Sequence, residues 1–392
     1  MENFEYKNET RIVFGRGTQK RVGELVKGHA DKILLHFGGG SIKRSGLYDE
    51  VVASLKAAGV SFIELGGVQP NPRVSLVREG IEICRREKIP FVLAVGGGSV
   101  IDSAKAIAMG VEYDGDVWEI YETWKPITKA LMVGTVLTIP AAGSESSPNT
   151  VITNEASQLK FGYGSEFLRP VFSIMNPELY FTLPTNQIAN GVSDMMSHIF
   201  ERYFTNTEHT DLTDSLCEAT LRTIMKNALL LMENHENYEA WAEVAFGGYV
   251  AHKGLLGLGR DQDWGCHAME HELSAIYDVA HGAGLAVVTP SWMSQVFRAK
   301  VEMFVQFAVK VMGVDGSYRD PEGIVREGIR RLRDFYAKMG LPSTLKGLGI
   351  PADNLELMAK KATKIAFGPE RPIGGFMKLN WSDVLEIYRG CQ

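Results

Sequence analysis

Three of the chain's nine histidines fall within Asp263 to Pro290, DWGCHAMEHELSAIYDVAHGAGLAVVTP. His267 and His271 stand four apart in a segment with helical apolar spacing, so both rings share one helix face. His281 follows in His281-Gly282-Ala283-Gly284, where small residues suit a tight approach at a helix end or turn. An apolar run, Leu285 to Val288, then begins another buried element. Upstream, Asn190 to Tyr203 reads NGVSDMMSHIFERY; Asp194 and His198 are a second i,i+4 pair, set among Met195, Met196, Ile199 and Phe200. A carboxylate in apolar surroundings needs a counter-charge or a metal. Each histidine taken alone is more simply a hydrogen-bonded core or surface residue. Together, Asp194, His198, His267 and His281 make an Asp-His-His-His set for one divalent ion. Three neutral ligands and one anion leave such an ion with net positive charge and Lewis acidity. Cys266 is adjacent to His267, so it points another way on a helix and is not expected to be a ligand.

The elements that must position these residues come in two styles. The N-terminal part alternates strand and helix, as in an α/β layer with a parallel sheet. Strands are expected at Arg11–Phe14, Lys32–Phe37, Ser61–Leu65, Phe91–Val95, Ala130–Leu137 and Phe172–Met175, with a hairpin formed by Val151–Thr153 and Gln158–Gly162. The run Phe91 to Val95 is continuously apolar, the mark of a central parallel strand buried on both faces. Beyond Pro184 helical patterns dominate, at Asn186–Phe204, Asp211–Glu233, Tyr238–Lys253, the histidine region, Lys300–Val311, Pro321–Met339 and Asn354–Phe367. The expected domains are therefore 1–183, α/β and dinucleotide-binding, and 184–392, all-helical and carrying metal and substrate.

A length of 392 residues suits two domains. The net charge of −6 offers no basic footprint for nucleic acid or an anionic membrane. Neither a signal-like start nor a bilayer-length apolar run is present. Cys84, Cys217, Cys266 and Cys391 are scattered and fit no CxxC pattern, so a reduced, cytoplasmic enzyme is expected.

The central strand leads into Gly96-Gly97-Gly98-Ser99-Val100-Ile101-Asp102-Ser103-Ala104-Lys105, a glycine turn that opens a helix. Glycines let backbone amides approach a phosphate, and the helix N-terminus adds favourable partial charge. Such a turn can also serve chain reversal alone, and it is not GxGxxG. Its place after the most buried strand is where ligands collect in open α/β sheets. The second strand ends in His36-Phe37-Gly38-Gly39-Gly40-Ser41-Ile42-Lys43-Arg44, with a hydroxyl, two cations and no acid. NAD sites usually place an acid there for the ribose 2′-hydroxyl. This composition instead favours a 2′-phosphate, and NADP(H) over NAD(H).

These residues together resemble the iron-containing (group III) alcohol dehydrogenase family, most nearly its butanol dehydrogenase and broad-range aldehyde reductase branch. The likeness runs from FEYKNETRIVFGRG to IGGFMKLNWSDVLEIY; its most specific markers are GGGSVID at 96–102, Asp194 with His198, and HxxxHxLSAxYDxxHGxGLA from His267. The resemblance implies a dehydroquinate synthase-like architecture, with an N-terminal dinucleotide domain, an all-helical metal domain and the active site in the cleft between. It implies Asp194, His198, His267 and His281 as ligands of one Fe(II) or Zn(II), with Mn(II) or Co(II) also accommodated. It assigns His271 to a proton-relay role. It places Gly97, Gly98, Ser99 and Asp102 against the pyrophosphate and nicotinamide side, Asp102 also counting as a catalytic candidate. Thr138, Ser144, Asn149 and Lys160 match further cofactor-contacting positions, and Gly38, Gly39, Ser41 and Asn71 complete the set. One departure stands out: the family's Thr-Gly-Ser-Glu turn is Ala142-Gly143-Ser144-Glu145 here, without the first hydroxyl.

The expected chemistry is reversible hydride transfer between nicotinamide and short- to medium-chain aldehydes such as butanal, in a homodimer. The partners are then a small-molecule alcohol or aldehyde, with neither nucleic acid nor membrane. Competing readings are a polyol dehydrogenase on the same fold, a non-redox metal lyase or hydrolase, and a silent cofactor-binding protein. Trp118, Tyr121, Trp264 and Trp292 are expected to pack the core more than to line a pocket.

Overall fold

The structure is a computed structural model that describes residues 1–317 and 320–392. The chain forms two compact units: Lys7–Leu183 with His235–Ala245, and Met1–Tyr6 with Pro184–Asn234 and Phe246–Gln392.

The first unit contains the strands β1 (Arg11–Phe14), β2 (Lys32–Gly38), β3 (Ser61–Val68), β4 (Phe91–Gly96), β5 (Met132–Leu137), β6 (Asn149–Asn154), β7 (Leu159–Gly164) and β8 (Phe172–Met175). Among the described residues six of them make one parallel sheet in the order β1-β8-β5-β4-β2-β3. β6 and β7 pair separately as an antiparallel hairpin. Its helices are α1 (Val22–Lys27), α2 (Ser41–Arg44), α3 (Leu47–Ala57), α4 (Val74–Glu87), α5 (Gly98–Val111) and α6 (Val117–Thr123). Every residue of β4 is buried, as its unbroken apolar run requires. One face of the sheet packs Ile33, Leu35, Leu93 and Val95 against Val22 and Leu25 of α1 and Val51 and Leu55 of α3.

β3 runs three residues further than its apolar pattern suggests. Gly66 continues the strand where a Cβ would meet the Phe37 ring at 2.6 Å, so the glycine is a packing requirement and not a strand end. The short helix α2, formed by Ser41–Arg44, was not expected; at one turn it carries no periodicity to read.

In the second unit lie α7 (Thr185–Tyr203), α8 (Asp211–Glu233), α9 (Tyr238–His252, from Phe246 onward), α10 (Gly265–Tyr277), α11 (His281–Val296), α12 (Val301–Lys310), α13 (Pro321–Lys338), α14 (Leu355–Ala362) and α15 (Trp381–Arg389). Leu285–Val288 is the middle of α11 and not the start of a new element. That helix is buried on nearly every side, so its sequence shows an apolar run without a 3.6-residue period. α7 and α11 meet at Gly282, where a Cβ would lie 2.0 Å from the Asn190 carbonyl oxygen. Only glycine allows that approach.

Candidate metal centre and nucleotide turns

Three helices of the second unit deliver the metal candidates. α7 presents Asp194 and His198, α10 presents His267 and His271, and α11 opens with His281. Asp194, His267 and His281 have ligand atoms within 4.8 Å of one another. Nε2 of His267 and Nε2 of His281 each lie 3.8 Å from Asp194 Oδ1. His198 joins from its own helix: Nδ1 is 3.2 Å from Asp194 Oδ1 and its ring centroid 4.6 Å from that of His267. Asp194, His267 and His281 thus form the tight set, and His198 stands beside Asp194 but outside it. His271 stands one helical turn beyond His267, partly exposed, its ring 5.8 Å from that of His281.

Two glutamates missed by sequence reasoning sit behind this cluster. Glu201 Oε1 accepts the backbone N–H of His267 at 3.0 Å and approaches its Nδ1 to 3.1 Å, the latter an ion-pair contact without hydrogen-bond alignment. Glu270 contacts His281 Nδ1 through Oε2 and accepts the Ser274 hydroxyl through Oε1. His252 was missed as well: its ring lies 4.1 Å from that of His198, and Nδ1 meets Arg202 Nη2 at 2.8 Å. Trp264 borders the cluster, 5.3 Å from the His267 ring, with the Arg202 guanidinium 4.8 Å over its face. Trp264 is half-buried in these contacts, whereas Trp118, Tyr121 and Trp292 are buried.

The histidines around Asp194 hold it as a carboxylate. Burial opposes ionisation of Asp194, yet His198, His267 and His281 outweigh it and hold its carboxyl well below the usual range. Burial lowers His198 to about 4. His267 is also disfavoured as a cation by burial, but Glu201 and Asp194 prevail and push it up to about 9. Asp194 Oδ1, Glu201 Oε2 and both ring nitrogens of His267 are buried without a hydrogen-bond partner. Orphaned groups of this kind mark a place for an ion. Metal bonds of about 2.0–2.2 Å put neighbouring tetrahedral donors roughly 3.4 Å apart, close to the 3.8 Å seen here. Imidazole and carboxylate donors suit a transition metal, and the residues present fit one.

In the first unit, the glycine turn after β4 opens α5 with Gly97 as its N-cap and Gly98 as its first residue. A Cβ on Gly97 would meet Ile139 Cβ at 3.0 Å, and one on Gly98 would meet Ala142 Cβ at 3.2 Å. The backbone here is confined by the turn after β5, where Thr138 N–H donates to Gly96 O at 3.1 Å. Asp102 is half-buried and fully engaged. Ser144 Oγ donates to Oδ1 at 2.5 Å, and Val151 N–H donates to Oδ2 at 3.0 Å. It therefore clamps α5 to the 142–151 segment. Lys105, also missed, is fully buried and donates to Ser144 O, Ser144 Oγ, Ser147 O and Asn149 O at 2.6–3.0 Å. Burial lowers it to about 8 against the pull of Asp102 and Glu145. Lys160 on β7 donates to Asn71 Oδ1 at 3.0 Å, and Asn71 holds a left-handed φ of 53°. Ser99, Thr138, Ser144, Asn149, Asn71 and Lys160 thus gather around the C-terminal ends of β4 and β5 and the hairpin.

At the end of β2, Gly38, Gly39 and Ser41 lead into α2, with Ser41 exposed. Lys43 is engaged: its Nζ is 3.7 Å from Glu64 Oε2 and 4.6 Å from the centroid of the Tyr48 ring, while Tyr48 OH donates to Glu64 Oε1. Lys43 thus faces an acid of the neighbouring strand β3.

This fold and these constellations are those of a metal- and nicotinamide-linked dehydrogenase. The chain belongs to the iron-containing alcohol dehydrogenases: the family model matches residues 9–177 and the family's C-terminal model residues 188–391. It is 44% identical to NADH-dependent butanol dehydrogenase A of Clostridium acetobutylicum, over 99% of each chain. To the NADPH-dependent aldehyde reductase YqhD of Escherichia coli it is 34% identical, over 92% of this chain and 93% of that one. The crystal structure of NADH-dependent butanol dehydrogenase A from Thermotoga maritima superposes with a TM-score of 0.95 at 42% identity, covering 100% of this chain and 99% of the other. The protein is an oxidoreductase of the alcohol dehydrogenase and aldehyde reductase type, with a metal site and a nicotinamide cofactor.

Proposed function

We propose that this enzyme reduces short- to medium-chain aldehydes such as butanal, and oxidises the corresponding alcohols, with residues 1–183 binding the nucleotide and 184–392 the metal and substrate. The observation that carries this reading is the convergence of His267 Nε2 and His281 Nε2 on Asp194 Oδ1 at 3.8 Å each. Asp194, His198, His267 and His281 would hold one divalent ion, Fe(II) or Zn(II). Such an ion supplies Lewis acidity toward a substrate oxygen, and the nicotinamide supplies or accepts the hydride. The chain's own part is positioning and proton handling. Gly97, Gly98 and Ser99 offer amides and a hydroxyl to the pyrophosphate at the start of α5. Asp102 and Lys105 keep the 142–149 segment in place for Ser144 and Asn149 to contact the nucleotide, and Lys160 with Asn71 does the same from the hairpin. His271, partly exposed beside the cluster, carries the proton to or from solvent.

Ser41 and Arg44 favour the 2′-phosphate of NADP(H). Against this, Glu64 neutralises Lys43, and the relatives at 42–45% identity are NADH-dependent by name. The turn's own residues favour NADP(H) and the names of these relatives NAD(H), and the paired NADH and NADPH assay below decides between them. We further propose a cytoplasmic homodimer; among the described residues no helix is long and apolar enough to cross a membrane.

The test is metal analysis of anaerobically purified protein, paired with NADH and NADPH oxidation against butanal. About one metal per chain, lost together with activity in His267→Ala, is the expected result. A metal-free preparation still active on butanal would overturn the assignment of the four ligands.

A further inference from the structure

The two glutamates behind the cluster each face a histidine Nδ1, Glu270 in a hydrogen bond to His281 and Glu201 in an ion-pair contact with His267. Glu201 is 3% exposed and Glu270 is 0% exposed, and each places a carboxylate oxygen against Nδ1 of a candidate ligand histidine. The opposite nitrogen, Nε2, of each of those histidines faces Asp194 Oδ1 at the same 3.8 Å. Burying two extra carboxylates beside a third is costly unless their charge is used. The chain also makes room for one of them: a Cβ on Gly284 would come within 2.8 Å of Glu270 Cγ. Ser274 then donates to the remaining Glu270 oxygen, and the His267 backbone N–H fixes Glu201. His198 is held differently, with Nδ1 3.0 Å from the Asp194 carbonyl oxygen and no such glutamate.

We propose that Glu201 and Glu270 are paired positioning residues that keep the Nδ1 proton on His267 and His281, so that both histidines offer a bare, more basic Nε2 to the metal. The proposal rests on the reading of Asp194, His198, His267 and His281 as ligands. With a proton on Nδ1 shared toward a carboxylate, an imidazole acquires part of the anion's charge and becomes a stronger donor. The three carboxylates Asp194, Glu201 and Glu270 exceed a divalent ion's charge by one. Arg202, buried against His252 and the His198 carbonyl oxygen, restores the balance. The cluster is then neutral as a whole, which suits an ion retained through turnover in a buried setting. Loss of one glutamate leaves a net positive cluster and frees one ring to turn its Nε2–H toward the ion.

The experiment is metal affinity by chelator competition with Zn(II), together with 15N-histidine spectra of the Zn(II)-loaded protein. Glu201→Gln and Glu270→Gln should each weaken binding by about 10- to 100-fold. Each should also abolish one slowly exchanging Nδ1–H resonance, from His267 and His281 respectively. Glu270→Asp, which keeps the charge, should recover part of the affinity. Glu272→Gln, on the same helix but paired 3.2 Å from Lys361, is the control for general damage to α10 and should bind as the wild type does. Gln variants that bind Zn(II) within 2-fold of wild type, or that keep both Nδ1–H resonances, would overturn the proposal. A wild-type protein with no stoichiometric Zn(II) site would instead overturn the ligand assignment beneath it.

Discussion

His271 and His36 show how differently two histidines of one chain can be used. His271 has no place in the tightest ligand set with Asp194, yet it lies within 5.8 Å of the His281 ring and is partly exposed. Its replacement by alanine should lower turnover by roughly 10-fold or more and change the pH profile, with the metal retained. Unchanged steady-state kinetics across pH would remove it from the mechanism. His36 is fully buried in β2, where Nδ1 contacts the Leu65 carbonyl oxygen at 2.8 Å and Nε2 the Ser103 hydroxyl at 2.9 Å. Burial lowers it to about 4. Between pH 6.5 and about 4 the unfolded chain therefore binds the proton and the folded chain does not, so this group costs stability as pH falls through that window. The loss approaches the order of 3 kcal/mol at its acid end. Urea unfolding at pH 7 and pH 4.5 should show a smaller acid-side loss in His36→Gln, which stays neutral. An identical loss in both proteins would discount the buried imidazole. At this scale the sequence displayed the four metal candidates, because two i,i+4 pairs, Asp194 with His198 and His267 with His271, stand out and His281 follows close behind. It hid Glu201, Glu270 and Lys105, because a charged residue on a helix ordinarily faces water and only tertiary contact shows otherwise.

Helices and turns set the distances that those side chains exploit. The α7–α11 approach depends on Gly282, so Gly282→Ala must drive backbone from backbone and spread Asp194 from His281. A stability loss on the order of 1–3 kcal/mol and a reduced metal content per chain are expected, read by denaturation and metal analysis. Full metal content at unchanged stability would contradict the contact. In the nucleotide turn, Ala142 stands beside the start of α5, 3.2 Å from where a Gly98 Cβ would be. Ala142→Thr adds a hydroxyl next to the amides of that helix end. Nucleotide KM should fall about 2- to 10-fold, with kcat unaltered; a KM that rises or stays put would place the position outside the binding surface. Strong period and strong punctuation made most elements legible, β4 and α8 among them. α15 went unread, although Asn380 and Asp383 form a capping box at its start. It is short, with only nine residues to set against the unpatterned stretch before it. β3 was cut early because its glycines read as a turn, whereas Gly66 seats the Phe37 ring and Gly67 takes a positive φ of 96° within the strand.

At the level of the whole molecule, a ligand that binds only the folded state adds to its stability. Chelation should therefore lower the thermal midpoint, by about 2–4 °C for each kcal/mol of binding lost, and returned Fe(II) or Zn(II) should restore both midpoint and turnover. A midpoint indifferent to chelation would mean that no ion is structurally engaged. One tie within the second unit bears on when such an ion can be captured. The Tyr388 hydroxyl donates to the Met269 carbonyl oxygen at 2.7 Å, on the helix that carries His267 and His271. Asp263, just ahead of that helix, accepts the backbone N–H groups of Gly375 and Phe376 at 3.0 and 2.9 Å. The ligand helix is thus fastened by residues more than a hundred positions downstream. During synthesis the nucleotide unit has most of its chain available early, but the ligand helix is not secured until Tyr388 has been added. Chains stalled on the ribosome before that point should hold iron or zinc loosely, which makes metallation a step that follows translation instead of accompanying it.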